Sequence, residues 1–343
     1  MRGFTIAGMI LVNNPGTWSE VYAPLLHSEF NGLTPTDLVF PFFMFIMGIS
    51  TFISLHKSQF VFTWPLFFKI LRRTFVLFLI GLLLNLLIGL LHFGDNWLTA
   101  LRYMGVMQRL GICYGITALL ALCVNHRNFP SIIVGIFVVY AIILLGGNGF
   151  VFSPENIVCR IDTFMMGATH LYLGDGRPFD PEGLLSTPSA IAHTMIGFCV
   201  GKNLLSDHDK QQKMLRLLFV GSGLMAIGWL FSYGIPLNKK VWSPTFALMT
   251  CGMAMCLLAM MIWIIDVKGM TRTDFFNAFG ANPLFIFVVS EVMSIYGFSS
   301  LFYENFFYML PAKLASLLSA ITIVLLCWAI IYPLFIKKIY IKI

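Results

Sequence analysis

A chain of 343 residues with 58% hydrophobic and 11% charged side chains and a mean hydropathy of +0.85 has too little polar surface to fold as a water-soluble domain. Its formal net charge of +7 comes without a basic stripe interleaved with aromatic residues, which argues against a nucleic-acid partner and for membrane topology as the source of the charge. Seven cysteines form no C-x-x-C pair and no metal-type spacing with histidine, so neither a zinc site nor a structural disulfide is expected.

Apolar runs bounded by charge, Pro or Gly fall at about 3–14, 36–56, 66–91, 104–124, 130–147, 187–204, 214–234, 243–265, 279–297 and 314–336. They predict an all-α integral membrane helix bundle of about ten transmembrane helices. The first run is short for a span. It reads as a first helix rather than a removed leader, because polar Asn13-Asn14-Pro15-Gly16 follows it with no small-x-small cleavage site. No internal repeat or soluble domain interrupts the chain, so residues 1–343 are expected to form a single membrane domain. With the N-terminus in the cytoplasm, Arg2, Lys57, Arg72, Arg73 and Lys202 fall inside, with most of the other cations. Arg102 and Arg177 are among the few outside. Both termini are then cytoplasmic, and the two long outward loops are about 14–34 and 148–186.

Thr34-Pro35-x-Asp37 predicts a helix starting near Pro35, with Thr34 as N-cap, proline at the first position and Asp37 completing a capping box. His27 lies just before it, flanked by Glu29 and Asn31. A histidine so placed is a candidate general base whose tautomer a carboxylate fixes; a loop histidine beside a helix cap is the plainer alternative, and the residues alone leave both open. Asn13 and Asn14 can donate to a developing oxyanion or simply form a turn. Arg109 lies within a span and therefore faces the protein interior, either binding an anionic group or pairing with an acid such as Glu291. In the second outward loop Asp162, His170, Tyr172, Asp175, Arg177, Asp180 and Glu182 supply hydrogen-bonding groups suited to a polyhydroxylated ligand. His193 reads as an interhelical hydrogen-bonding residue. A Gly-rich phosphate loop, H-E-x-x-H and G-x-S-x-G are all absent, so a nucleotide-bearing substrate would be held by scattered basic residues and helix ends.

Read whole, HSEFNGLTPTDLVFPFFMFIMG at 27–48 resembles the signature of the transmembrane heparan-α-glucosaminide N-acetyltransferase family, bacterial members included. GVMQRLG at 105–111, IDTFMMGATHLY at 161–172, FDPEG at 179–183, IPLNKKVWS at 235–243 and NPLFIFVVSEV at 282–292 continue the likeness in the same order. Phe30 stands where the family commonly has tryptophan, and Ser290-Glu291 where the animal form has His-Glu. The resemblance implies ten spans and an enzyme that takes acetyl from cytosolic acetyl-CoA and gives it to the amino group of a glucosamine-type sugar or oligosaccharide across the membrane, without a metal. It places the family's active-site histidine on His27 and the asparagine of its V-N motif on Asn13. It also suggests a homodimer and the bacterial inner membrane.

On that expectation His27, Asn13 and Asp37 are catalytic, with Asp37 or Glu29 orienting the ring. Arg109, Arg72, Arg73 and Lys202 receive the CoA phosphates, and Glu29, Asn31, Asp162, His170, Asp180 and Glu182 meet the sugar. The rivals are an O-acetyltransferase of an envelope polysaccharide and, in a different class, a sugar transporter or permease.

Overall fold

The computed structural model describes residues 1–94, 97–174, 176–207, 209–270 and 273–341, apart from the side chains of His92 and Phe93. Asp175, read above as a loop ligand, lies outside them. The described residues are helical with connecting loops, and they divide into two compact units.

The first unit comprises residues 1–28, 34–43 and 264–343. It holds α1 (Arg2–Asn13), the start of α2 (Val39–His56), α10 (Asp274–Ala281), α11 (Pro283–Ile295), α12 (Phe298–Asn305) and α13 (Ala312–Ile336). Ile6 and Ile10 of α1, Phe279 of α10, Ile286 of α11 and Ile323, Cys327 and Ile331 of α13 form its core. A Cβ on Gly3 would lie 1.7 Å from the Phe276 carbonyl oxygen, so α1 and α10 cross at a distance only glycine permits. Pro283 cannot continue α10, and α10 and α11 meet there at 90°.

The second unit, residues 29–33 and 44–263, holds the rest of α2 and α3 (Trp64–Phe93), α4 (Val106–Cys123), α5 (Phe129–Gly146), α6 (Ile157–Met166), α7 (Thr187–Leu204), α8 (Lys210–Phe231) and α9 (Pro244–Ile262). Proline in the first turn marks the start of α3, α5, α7 and α9. It suits that position because the missing N–H would have no intrahelical partner anyway. Helix α7 is buried along most of its length, and α2 lies against it with glycine on both sides of the crossing. A Cβ on Gly48 would come within 2.1 Å of Thr194 O, and one on Gly197 within 2.2 Å of Phe45 O. Gly48→Val is therefore expected to cost about 3 kcal/mol or more, since neither contact is with a flexible side-chain tip. Thermal unfolding of the detergent-solubilised variant measures it, and a melting temperature equal to wild type would refute the crossing.

Among the described residues, seven helices are long and apolar enough to cross a bilayer, or eight if bent α10–α11 counts as one span. Two of the ten expected runs fall outside that set. Helix α1 has 12 residues and is about 18 Å long, against roughly 30 Å of hydrocarbon. Helix α7 has 18 residues, but Ser, Thr, His and Gly dilute its hydropathy. A helix enclosed by other helices needs less of it than one facing lipid. The 148–186 segment also differs from expectation, for it contains α6 and a 3₁₀ turn at Ala168–His170. Asn156 builds the entry to α6: its side-chain oxygen accepts from Val158 N at 2.9 Å, while its Nδ2 donates to Gly149 O and Val151 O, each at 2.9 Å.

Candidate active site

The turn expected at Thr34–Asp37 is present as a 3₁₀ helix, Pro35–Leu38, that runs directly into α2. Asp37 is buried and its Oδ2 accepts from the Thr34 backbone N–H at 3.1 Å, the reciprocal half of a capping box. The same oxygen accepts from Ser28 N at 3.1 Å. The Thr34 hydroxyl lies 2.7 Å from Leu26 O, and Thr36 Oγ1 donates to Pro24 O at 3.2 Å. One helical turn thus ties down the loop 24–28 that precedes it by 6 to 13 residues.

The other Asp37 oxygen, Oδ1, sits 2.7 Å from His27 Nδ1. An ionised carboxylate only accepts, so Nδ1 carries the ring proton and the basic lone pair is on Nε2. The His27 side chain is 42% exposed while Asp37 is 1% exposed. An exposed imidazole and a carboxylate shielded from water are combined in one contact. Of the two carboxylates expected to orient the ring, Asp37 makes this bond; Glu29 is exposed in the second unit.

Asn13 closes α1 in the first unit. Its carbonyl accepts from Ser294 Oγ at 3.4 Å, and its side chain lies near Glu291 of α11. Asn14 instead turns back on α1, its Nδ2 donating to Ile10 O at 2.9 Å.

The remaining expected site residues lie in the second unit, and most are engaged by protein. Asn31 donates to Phe150 O and accepts from Asn238 Nδ2, both at 2.9 Å. Phe30 beside it packs on Phe152 and Phe179 with ring centroids 5.2 and 5.6 Å away. Asp180 and Glu182 converge on Arg102, whose Nε and Nη2 reach both Asp180 oxygens at 2.8 and 2.7 Å and whose Nη2 also reaches Glu182 Oε2 at 2.6 Å. Burial would lower the Arg102 pKa, but the hydrogen bonds it donates to Asp180 and the two negative charges outweigh this and raise it above its ordinary value. His170 stacks on Tyr103 at 4.1 Å, with Nδ1 2.8 Å from Leu101 O. Arg109 is buried. It donates to Gly183 O at 2.9 Å and to the Ser186 hydroxyl, with its guanidinium 5.4 Å from the Trp242 ring. Arg109, considered above as a partner for Glu291, thus has other partners within the second unit. Arg73 lies over the Tyr114 ring at 4.5 Å; Arg72 and Lys202 are exposed. Among the described residues no His/Cys/Asp/Glu group has the makings of a metal site.

Asp162 is buried in α6, and its Oδ1 accepts from Leu185 N at 3.0 Å. Burial pushes its carboxyl up to about 6, against the pull of that backbone bond and of Arg109, and with a further push from Asp180. The folded state therefore holds this proton more tightly than the unfolded state does. Its contribution is fully present below the ordinary value of 3.8 and is lost as pH rises to about 6. Unfolding temperatures should fall over that window by the equivalent of up to about 3 kcal/mol, and Asp162→Asn should flatten that part of the pH profile.

Sequence reading missed Arg102, Tyr103 and Asn238, each joined to its partner across 67 residues or more. The one available signal for Arg102 was a rare outside cation facing an outside acidic segment.

Apolar helices of spanning length define an integral, multi-pass membrane protein, and in it a buried carboxylate is paired with an exposed histidine. No protein-family model matches the chain. It is 29% identical over 356 aligned positions to human heparan-alpha-glucosaminide N-acetyltransferase, an alignment that covers 86% of this chain and 52% of that protein. The mouse protein of the same name is 28% identical over 360 positions, covering 86% and 53%. The chain is thus a distant homologue of these acetyltransferases and spans about half the length of the curated relatives it matches.

Proposed function

We propose that the chain is a membrane-embedded acetyltransferase that moves acetyl from cytosolic acetyl-CoA to the amino group of a glucosamine-type sugar on the outer side, with His27 as general base. The observation that carries this reading is the 2.7 Å contact between His27 Nδ1 and Asp37 Oδ1, in a chain similar to named N-acetyltransferases. An amine attacks a thioester carbonyl only through its lone pair, and a neutral imidazole is suited to take the proton released as the C–N bond forms. The proton goes to Nε2, the C–S bond breaks, and the departing thiolate takes the proton back. Asn13 stabilises the oxyanion, its side-chain amide donating an N–H to the developing charge.

The exposed cations Arg72 and Lys202, with Arg73, draw the CoA phosphates on the cytoplasmic side. Their place there follows from the charge asymmetry, which supports cytoplasmic termini and ten spans, namely α1 to α5, α7 to α9, α10–α11 and α13. Arg109, Asn31, Asp162, His170, Asp180 and Glu182 act on this reading as framework, supported by the protein partners they already have. The chain works as one acyltransferase domain, as a homodimer in a bacterial inner membrane.

Purified protein given labelled acetyl-CoA and glucosamine should yield N-acetylglucosamine. Product label released by hydroxylamine would indicate an ester and favour O-acetylation; no transfer at all would end the enzyme reading. Rapid mixing without acceptor should show no burst of free CoA, as expected for direct transfer; a stoichiometric burst would point to an acetyl-histidine intermediate.

A further inference from the structure

A cavity of about 250 Å³ lies in the first unit between the end of α1 and the α11–α12 turn, and nothing above uses it. Asn13, Thr17, Trp18, Ser294, Tyr303 and Glu304 are among its lining residues. Its walls are firmly built. Gly16 N donates to Ser316 O at 3.2 Å and Thr17 N to Ser316 Oγ at 3.3 Å, which fastens the Asn13–Trp18 wall to α13. A Cβ on Gly16 would stand 2.9 Å from Tyr303, so this wall and the α12 wall are in close contact. Gly297, at φ +66°, makes the left-handed turn that starts α12 and brings Tyr303 and Glu304 round to the cavity.

Size and lining narrow the ligand. Pockets for drug-sized ligands run to roughly 300–1,000 Å³, so this smaller volume admits about one sugar ring and excludes a CoA nucleotide. Hydroxyls, an amide and a carboxylate line it, which excludes an acyl chain. Trp18, 60% exposed, offers a broad aromatic face of the kind that packs on the apolar side of a pyranose. Glu304 is exposed and enters no ion pair among the described residues, so its oxygens can accept from hydroxyl or amino hydrogens. Asn13, the residue assigned above to the oxyanion, lines the same cavity.

We propose that this cavity is the acceptor subsite: it holds a single amino-sugar ring, with Trp18 against the ring face, Glu304 accepting from its polar hydrogens and Asn13 at the end where the nitrogen reacts. The assignment rests on the acetyltransferase reading and adds to it the residues that select the acceptor.

The test measures glucosamine binding to the purified protein by saturation-transfer NMR without acetyl-CoA, and steady-state kinetics with it. Trp18→Ala and Glu304→Gln should each weaken glucosamine binding and raise its KM by about tenfold, the loss of one charge-assisted hydrogen bond or one ring contact. The KM for acetyl-CoA should not move, and Trp18→Phe should recover most of the affinity. Because both side chains are exposed, melting temperatures should stay at the wild-type value. If wild type binds and acetylates glucosamine and the variants match it in KM and affinity, the subsite is wrong while the enzymatic reading stands. If wild type neither binds nor acetylates any amino sugar, both fall together.

Discussion

His27→Ala should lower kcat for acetyl transfer to glucosamine by about 10²- to 10⁴-fold, the usual contribution of a positioned general base. The KM for acetyl-CoA should stay near wild type, since the ring is assigned to the amine and not to the donor. Stability should be nearly unchanged, because the side chain is 42% exposed. Asp37→Asn provides the complementary result. An amide nitrogen facing Nδ1 would force that nitrogen to accept, shifting the proton to Nε2 and removing the base, so kcat should fall about as far. This variant should also lose about 1 kcal/mol of stability, because the same carboxylate closes the capping box. Labelled acetyl transfer and thermal unfolding on the same preparations separate the two effects. Full activity in His27→Ala would remove the dyad from the mechanism.

The sequence made this dyad legible because its parts are local. Thr34, Pro35 and Asp37 announce a helix start within four consecutive residues, and His27 lies ten residues from its carboxylate, so one loop can bring them together. Sequence spacing did not choose between Asp37 and Glu29; that required the capping geometry, in which Asp37 Oδ2 faces the Thr34 and Ser28 amides and Oδ1 is left toward the ring. Helix positions were legible for the same local reason, since apolar runs and first-turn prolines are written in consecutive residues. The protein partners of the polar loop residues were not legible because they are remote. Asn31 reads as a ligand until Phe150 and Asn238 appear against its amide, and Asp180 and Glu182 read as sugar acceptors until Arg102, 78 and 80 residues away, takes their oxygens. The nearness of Asn13 to Glu291 is illegible in the same way, since the two lie at opposite ends of the chain.

Arg102→Ala should be the most destabilising polar substitution in the second unit. It would leave Asp180, whose side chain is 0% exposed, and Glu182, 10% exposed, without the cation that offsets their desolvation. Removing one partner of such a cluster costs about 3–5 kcal/mol, and the 22% exposure of Arg102 puts the expected loss near the lower end. The mechanism makes a sharper statement than the magnitude. If the cost comes from stranded charge and not from lost packing over Tyr172, then adding Asp180→Asn and Glu182→Gln to Arg102→Ala should restore more than half of it. The two neutral substitutions in the wild-type background should themselves be destabilising, because they leave the guanidinium unpaired. Asp180→Asn has a second consequence through Asp162, whose carboxyl is raised partly by the Asp180 charge. Without that charge the Asp162 pKa should move down toward its ordinary value, and the acid side of the stability profile should shift to lower pH. Chemical or thermal unfolding of the four variants in one detergent completes the cycle. Equal stability of Arg102→Ala and the triple variant would show that the arginine matters through its aliphatic stem and its contact with the Tyr172 ring 5.0 Å away, and not through its charge.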